Sequence, residues 1–325
     1  MATLITKTVK PAGGGDYTTL QAAVNATPAS LVTADEQWDI VCYDGGNLGS
    51  TTCPTRTTDA TRYLRIVAHQ SVRHRGVYST SYAYISGDYQ PLAAIPHYTR
   101  VEGLQISVTG DDLSMKGIVA LYGTKGIYIE GNIIRAVPNG SPVYWSVQCW
   151  AVDLGTDLAG DCFVFNNIFY GWNVKTTGNA GLSVQQHTSG KTYCYNNTFV
   201  DCYTGILDGY NKVVVKNCLF AGSNAVLSGG VDSASDYNAS DLGTTTGGAN
   251  DRVSQTFTFV NAGAKDYHLA AGDAGARTYG VDLSGDANLP FNTDIDGTTR
   301  VPWDIGADEY IDPRPRRLTL QWRGV

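Results

Sequence analysis

The sequence predicts an all-β chain wound as a parallel β-helix. One short phrase occurs five times between residues 99 and 220, each copy alternates with the period of two that is typical of strands, and no helical period appears in this stretch. The copies read TRVEGLQI, IYIEGNII, CFVFNNIF, TYCYNNTF and VVVKNCLF. Because the loops between the copies change length while the phrase does not, the pattern is typical of a solenoid.

Apolar or small residues fill the inward columns that this alignment predicts. Three such columns are Thr99, Ile127, Cys162, Thr192 and Val213; Val101, Ile129, Val164, Cys194 and Val215; and Ile106, Ile134, Phe169, Phe199 and Phe220. A Gly or Asn pair follows each strand, and both residue types tolerate a left-handed backbone, so each pair predicts a bend. The pairs begin at Gly103, Gly131, Asn166, Asn196 and Asn217. We expect stacked Asn side chains to bond from turn to turn, and Asn238 predicts one more turn.

The phrase with its Asn pair resembles the right-handed parallel β-helices of the pectate-lyase-like superfamily, over about residues 17 to 310. That scaffold carries lyases, hydrolases, adhesins and virion proteins, so the resemblance implies fold more than function. The N-terminal half is similar in form to β-helix proteins of tailed bacteriophage particles. The segments that carry this likeness are VKPAGGGDYTTLQAAVNA, LVTADEQWDI, TTDATRYLRIVAH and VEGLQI.

Three regions follow from the chain taken in order. Residues 1–30 hold an alternating strand and a short helix, with Asp16 as the expected N-cap and Leu20, Ala23 and Val24 as its apolar stripe. The resemblance implies that this helix plugs the N-terminal end of the coil. Residues 31–310 form the single-stranded parallel β-helix, and the closing stretch DIDGTTRVPWDIGADEY is expected to seal its C-terminal end.

Two long loops and a tail complete the chain. Alternation within SVQCWAVDL and GLSVQQH predicts one additional strand in each loop. The segment from His69 to Pro91 is basic and aromatic, and it is either a loop laid along the coil or a contact surface. Residues 311–325 form a Pro- and Arg-rich tail or arm. In this tail, Arg314, Arg316, Arg317 and Trp322 are candidate interface residues.

Composition restricts the function. The net charge is −7, which argues against nucleic acid as a partner. We find neither an apolar run of membrane-spanning length nor a signal-peptide core near the start, so we expect neither a membrane span nor Sec export. The location that the resemblance to phage proteins implies is a virion assembled from protein made in the host cytoplasm. Seven Cys residues fit no zinc spacing, and we expect reduced, buried thiols, although a Cys42–Cys53 disulfide remains an alternative.

Catalytic candidates are few on the outward strand positions. Glu102 and Glu130 fall on successive turns, at a spacing that a retaining hydrolase could use, but two solvated or Arg-paired glutamates are the simpler interpretation. Asp153, Asp157 and Asp161 are interpreted as a solvated loop in preference to a Ca²⁺ site. His187 is interpreted as an ordinary loop histidine, and Asn292 to Asp294 as a chance match to a polygalacturonase motif. We expect no cofactor and no metal.

The outward aromatic residues carry the binding prediction. Phe163, Phe165, Tyr193 and Tyr195 form a two-by-two apolar patch on a face that should be wet. Two structural explanations are open: a loop covers the patch, or the predicted strand register is wrong by one residue. If neither holds, the patch is a subunit interface or a sugar-stacking surface.

The sequence therefore predicts a structural virion protein, either a capsid decoration or a tail-associated β-helix. It is expected to act through contacts with other virion proteins and with itself, a trimer being favoured, and with a host or environmental glycan. The alternative is a polysaccharide lyase or hydrolase of the tailspike type. Neither nucleic acid nor a membrane is an expected partner.

Overall fold

The computed structural model describes residues 1–110, 114–138, 148–155, 157–173 and 178–312. Within these residues the fold is all-β, with three long parallel sheets. The chain passes from the first sheet to the second and then the third before it returns to the first, and it repeats this circuit from residue 100 onward. Such a path is compatible with a β-helix-like solenoid.

The strands of each sheet follow one another in chain order. The first sheet contains Thr3–Val9, Glu36–Cys42, Leu64–Ala68, Arg100–Glu102, Tyr128–Glu130, Cys162–Phe165, Thr192–Tyr195 and Val213–Lys216. The second contains Tyr84–Asp88, Gln105–Gly110, Ile133–Pro138, Ile168–Tyr170, Thr198–Val200, Leu219–Ala221 and Ala239–Ser240. The third contains Thr51–Thr52, Leu92–Ile95, Lys116–Ala120, Trp150–Asp153, Ala180–Val184, Thr204–Asp208 and Ala225–Gly229.

Smaller elements lie beside the three sheets. Leu158–Ala159 pairs in parallel with His187–Ser189, and Phe259–Asn261 pairs antiparallel with Asp266–Leu269. The helices are Leu20–Ala26 and Leu31–Ala34, with 3₁₀ turns at Gln70–Val72 and Ala262–Ala264. No helix among the described residues has the length and hydrophobicity that crossing a membrane would require.

The predicted strand register is confirmed. Val101, Ile129, Val164, Cys194 and Val215 are direct partners on successive strands, as are Ile106, Ile134, Phe169, Phe199 and Phe220. All ten side chains are completely buried. The extra strands predicted within the two long loops are also present, and both lie in the third sheet.

The bends adopt the backbone that the Gly and Asn residues predicted. Gly103, Gly131, Asn166, Asn196 and Asn217 all have φ between 49° and 67°. The residues after four of the five bends form the expected ladder: the backbone N–H of Leu104, Asn132, Asn167 and Cys218 donates to Oδ1 of Asn132, Asn167, Asn197 and Asn238, respectively, at 2.8–2.9 Å. The ladder is interrupted between Asn197 and the next turn, where Cys218 takes the asparagine position. Asn238 thus extends the ladder by one turn, as predicted. At that turn Tyr237, with φ 61°, occupies the bend position itself.

The N-terminal helix begins later than expected. Thr19 is its N-cap, because the Thr19 side chain accepts a hydrogen bond from Ala22 N. Asp16 was the predicted cap, but its carboxylate accepts from Thr8 N at 2.8 Å and so joins the turn to the first strand instead. The predicted apolar stripe of the helix is buried.

All seven cysteines are free and buried, which confirms packing thiols and excludes the Cys42–Cys53 disulfide from this structure. Burial raises the pKa of Cys42, Cys53 and Cys162 to about 12. These thiols therefore stay protonated at neutral pH and behave as small apolar side chains.

The C-terminal segment packs along the side of the sheets. We call residues 257–310 the C-terminal cover. One group of its side chains, including Tyr267, Ile295 and Ile305, packs on outward residues of the second sheet such as Ile168 and Leu219. The sequence predicted that this stretch would seal the end of the coil. It instead lies over outward faces of the middle turns.

Candidate functional site

The outward face of the first sheet brings the predicted carboxylates together. Glu102 and Glu130 are direct partners on adjacent strands. Glu102 accepts hydrogen bonds from Arg65 Nε at 2.8 Å and from Arg65 Nη2 at 2.5 Å, and Arg65 also donates to Asp39 at 3.0 Å. For Glu102, the Arg-paired interpretation is therefore confirmed.

Glu130 is in a different environment. Burial, followed by the charge of Glu102, raises the pKa of Glu130 to about 7, although Arg73, Arg65 and Arg100 oppose this rise. One carboxylate held by arginine beside another that titrates near neutrality is an arrangement that acid–base catalysis can use. Two carboxyl groups that are buried only for structural reasons show the same combination of an Arg-paired group and a group with a raised pKa.

Arginine and tyrosine side chains line a groove on the same face. The groove has a volume of about 210 Å³, and its lining includes Tyr63, Tyr98, Arg100, Lys125 and Tyr128. The Arg100 guanidinium lies 4.4 Å from the Tyr63 ring centre and 4.5 Å from that of Tyr128, so the two rings hold it between them. Sequence alignment placed Arg100 and Tyr128 in one outward column, but it did not identify the groove.

Local backbone geometry shapes this groove. Tyr98 has φ 55°, and its ring lies where a Cβ atom at Gly126 would overlap it, so only glycine permits the contact. Asp161, at the rim, accepts a hydrogen bond from Lys191 N at 2.9 Å. Aromatic faces combined with Arg and Lys donors can bind a sugar ring that carries an acidic group.

The predicted aromatic patch is covered by the chain itself. Phe163, Phe165, Tyr193 and Tyr195 are between 0% and 8% exposed. They pack with Leu283, Leu289 and Trp303 of the C-terminal cover, and the Phe165 and Phe291 ring centres are 5.1 Å apart. The prediction of an exposed interface or sugar surface at these four residues is corrected: of the alternatives, cover by another segment of the chain is the one observed.

Hydrogen bonds at the bends fix the cover in place. Asn166 Nδ2 donates to Thr293 O at 2.8 Å, and Asn217 Nδ2 donates to Val281 O at 2.8 Å. Asn196 Nδ2 lies 3.1 Å from the carbonyl oxygens of both Asp304 and Gly306. The bend asparagines thus hold the cover, while Asn132, Asn167, Asn197 and Asn238, each one position after a bend, accept the ladder hydrogen bonds.

Buried Arg300 makes the most extensive contacts within the cover. It is 2% exposed, and its Nη2 donates to Asn166 Oδ1 at 2.9 Å and to Ala307 O at 2.9 Å. Its Nη1 lies 3.5 Å from Glu309 Oε2. Sequence reasoning missed this residue because an isolated Arg in a loop-like segment gives no signal of burial.

The other predicted positions have separate structural partners. Asp153 pairs with Lys116 at 2.7 Å, Asp157 contacts the Tyr122 hydroxyl, and Asp161 bonds to Lys191, so the three aspartates do not converge. His187 is 7% exposed, with Nε2 2.9 Å from Thr192 Oγ1. Arg314, Arg316, Arg317 and Trp322 lie outside the described residues.

The basic segment after His69 lies along the coil, as the first of its two interpretations predicted. His74 is buried, with Nε2 2.8 Å from Gly131 O, and Arg73 lies where a Cβ atom at Gly131 would overlap its Nη2. Burial lowers the pKa of His74 to about 3, so its imidazole stays neutral.

Comparison with known proteins gave no match to a family model, a curated protein or a solved structure.

Proposed function

We propose that the chain is a structural protein of a tailed bacteriophage particle, wound as a right-handed parallel β-helix. It acts by binding other protein chains and an acidic glycan. Its helix Leu20–Ala26 plugs the N-terminal end of the coil in this proposal. The phage assignment rests on the resemblance of the N-terminal half alone.

The groove beside Arg100 carries the binding part of the proposal. Arg100 and Tyr128 lie on adjacent strands of the first sheet, and the bends after these strands are bonded through the asparagine ladder, so these two side chains sit on a rigid support. Such a support favours binding because little side-chain or loop ordering is needed on association. The two cationic side chains, Arg100 and Lys125, favour a sugar that carries a carboxylate.

An open strand edge supports the protein-binding part. Thr3–Val9 is the outermost strand of the first sheet and pairs with Glu36–Cys42. On its other edge Tyr17 bridges to Val9, and the described structure places no strand beside the earlier residues of that edge. Leu4 on this strand is 57% exposed. An unpaired edge with an exposed apolar side chain can add a strand from another chain. Homo-oligomers, with a trimer favoured, and contacts with other virion proteins are therefore part of the proposal.

Imaging tests this function directly. Antibody-labelled native particles and the purified protein are examined by negative-stain electron microscopy, and light scattering after size exclusion gives the oligomeric state. The proposal expects label at a fixed place on the particle and an oligomer that Leu4→Lys weakens. Label that is absent from the particle, together with a monomer that Leu4→Lys does not change, would contradict it.

A second function has one observation in its favour. The pKa of about 7 for Glu130 beside Arg-paired Glu102 suits a polysaccharide lyase or hydrolase. Incubation with a panel of acidic polysaccharides tests this alternative through release of unsaturated sugars or new reducing ends. Release that is lost in Glu130→Gln, and retained in an Asp282→Asn control remote from the pair, would establish the enzyme and displace the structural role.

A further inference from the structure

One histidine and two aspartates meet in the C-terminal cover. His268 lies on the strand Asp266–Leu269, while Asp296 and Asp308 come from the closing stretch. One ligand atom from each residue can be chosen so that all three lie within 4.8 Å of one another. The His268 Nε2 to Asp296 Oδ2 distance is 3.0 Å. Three ligand atoms this close can bind one ion after small side-chain shifts.

The histidine is oriented as metal-binding histidines are. His268 Nδ1 lies 2.5 Å from Asp266 Oδ1, so this carboxylate can accept the Nδ1 proton. Nε2 then faces Asp296 as a potential ligand. Metal-binding histidines usually donate their second ring N–H to a carboxylate or carbonyl in this manner.

The two aspartates differ in how they are held. Asp308 is 6% exposed, and its Oδ2 accepts a hydrogen bond from Leu269 N at 2.7 Å, which fixes the carboxylate beside the histidine strand. Asp296 is exposed and leaves one side of the group open to solvent. A cation can therefore enter from this side, and water can complete its coordination.

Charge also favours a cation here. Three carboxylates, those of Asp266, Asp296 and Asp308, surround one imidazole, so the group keeps excess negative charge even when His268 is protonated. The backbone of Gly76 lies against the ring, and a Cβ atom there would overlap Nε2, so glycine at this position permits the observed placement of the His268 ring.

We propose that His268, Asp296 and Asp308 bind one Zn²⁺ ion, with Asp266 as the residue that orients His268. A donor set of one imidazole nitrogen and two carboxylate oxygens suits Zn²⁺, whereas Ca²⁺ and Mg²⁺ prefer oxygen donors alone. The bound ion fixes the histidine strand to the closing stretch and thereby fixes the cover on the two sheets.

Titration of the full chain with Zn²⁺ tests the proposal. The protein, freed of any affinity tag and treated with chelator, is titrated by calorimetry, and its metal content is measured after gel filtration. We expect one equivalent of Zn²⁺ and a higher melting temperature with increasing Zn²⁺. Ca²⁺ alone is expected to produce neither effect.

Matched variants distinguish a metal site from an ion pair. We expect Asp296→Asn, which changes an exposed carboxylate, to weaken Zn²⁺ binding at least tenfold, and Asp266→Asn to weaken it about 10- to 100-fold. His268→Gln should lose the stoichiometric site. His69→Ala is the control, because His69 lies elsewhere and stacks on Tyr43 with ring centres 4.3 Å apart.

Two outcomes would overturn the proposal. One is wild-type protein that takes up no stoichiometric Zn²⁺, which would leave His268 as an ion-paired cation between Asp266 and Asp296. The other is equal Zn²⁺ affinity in wild type and Asp296→Asn. Circular dichroism of each variant confirms its fold, and visible absorption of the Co²⁺-substituted protein gives an independent sign of tetrahedral nitrogen and oxygen ligands.

Discussion

At the scale of single residues, an amide side chain at a bend, such as that of Asn167, serves neighbouring turns of the coil. Asn167 Oδ1 accepts from Asn132 N at 2.9 Å, while Asn167 Nδ2 donates to Ile129 O at 2.8 Å and to Asn197 Oδ1 at 3.0 Å. These groups are buried, so no water can replace a lost partner. The ladder therefore stabilises the bends as well as linking them.

Asn167→Ala should lower the free energy of unfolding by about 3 kcal/mol, because it leaves the buried N–H of Asn132 without its acceptor and removes a donor from the buried carbonyl of Ile129. Urea unfolding followed by circular dichroism measures the change. The exposed Asn224, replaced by alanine, is the control and should change stability by less than about 0.5 kcal/mol. Equal effects at the two positions would show that the ladder contributes nothing.

The Glu130 carboxyl should make stability depend on pH. Its pKa is about 7 in the folded chain against an ordinary value of 4.5, so the folded state binds this proton more tightly. The stabilisation is complete below about pH 4.5 and is lost as the pH rises through 7. Glu130→Gln should match wild type at pH 5 and exceed its unfolding free energy by about 1 to 3 kcal/mol at pH 8.5. Urea unfolding at both pH values measures this, and an equal difference at both would contradict it.

At the scale of elements, the residue type at each bend matches what lies above it. Gly103 and Gly131 lie beneath the Arg73 side chain, which leaves no room for a Cβ atom at Gly131. Asn166, Asn196 and Asn217 lie beneath the C-terminal cover and donate to its carbonyl groups. Both residue types accept the left-handed backbone, so the choice between them follows the covering element.

Arg300→Met should loosen the cover without unwinding the sheets. Removing the guanidinium leaves Asn166 Oδ1 without its donor, for a loss of about 1 to 3 kcal/mol. The carbonyl oxygens of Gly306 and Ala307 each lose one of two donors, because Asn196 Nδ2 and Ile295 N still donate to them. Hydrogen exchange should rise in residues 281–307 more than in the ladder turns. Arg56→Met, which removes an Arg from the loop beside the N-terminal helix, is the control. Uniform exchange across the chain would show that Arg300 supports the whole fold equally.

At the scale of the whole molecule, the sequence pattern predicts the structure within each repeat but not the contacts between segments that are far apart in the chain. The strands, inward columns and bends were predictable because each copy contains its own alternation and bend residue. The cover was not, because its contacts join residues as far apart as Arg300 and Asn166, which are 134 positions apart. The outward apolar residues revealed that something packs on them, and only the structure identifies it.

The candidate sites show the same difference between what the sequence predicts and what only the structure reveals. Glu102 and Glu130 were located by register, but their different environments depend on Arg65 and Arg73, which belong to other turns. The group around His268 gave no sequence signal because its aspartates lie 28 and 40 residues away along the chain. No short motif spans such a separation.

A chain that ends at residue 255 should expose the outward faces of the first two sheets. Phe163, Phe165, Ile168 and Leu219 would then face water and form a contiguous apolar surface. We expect this truncated protein to bind a hydrophobic dye and to aggregate, as measured by light scattering. The matched control ends at residue 312 and should behave as wild type. A monodisperse, dye-free truncated protein would mean that the cover is dispensable.

Because the C-terminal cover contacts several turns, it also affects how cooperatively the protein unfolds. In an ordinary array of repeats each turn touches only its neighbours, so the ends can fray while the middle persists. Here a single stretch bonds to Arg73 through Ile295, to Asn166 through Thr293 and to Asn217 through Val281, and so spans several turns at once. Opening any one of these turns breaks contacts shared with the others. The array should therefore lose its nearest-neighbour character and denature in one cooperative step.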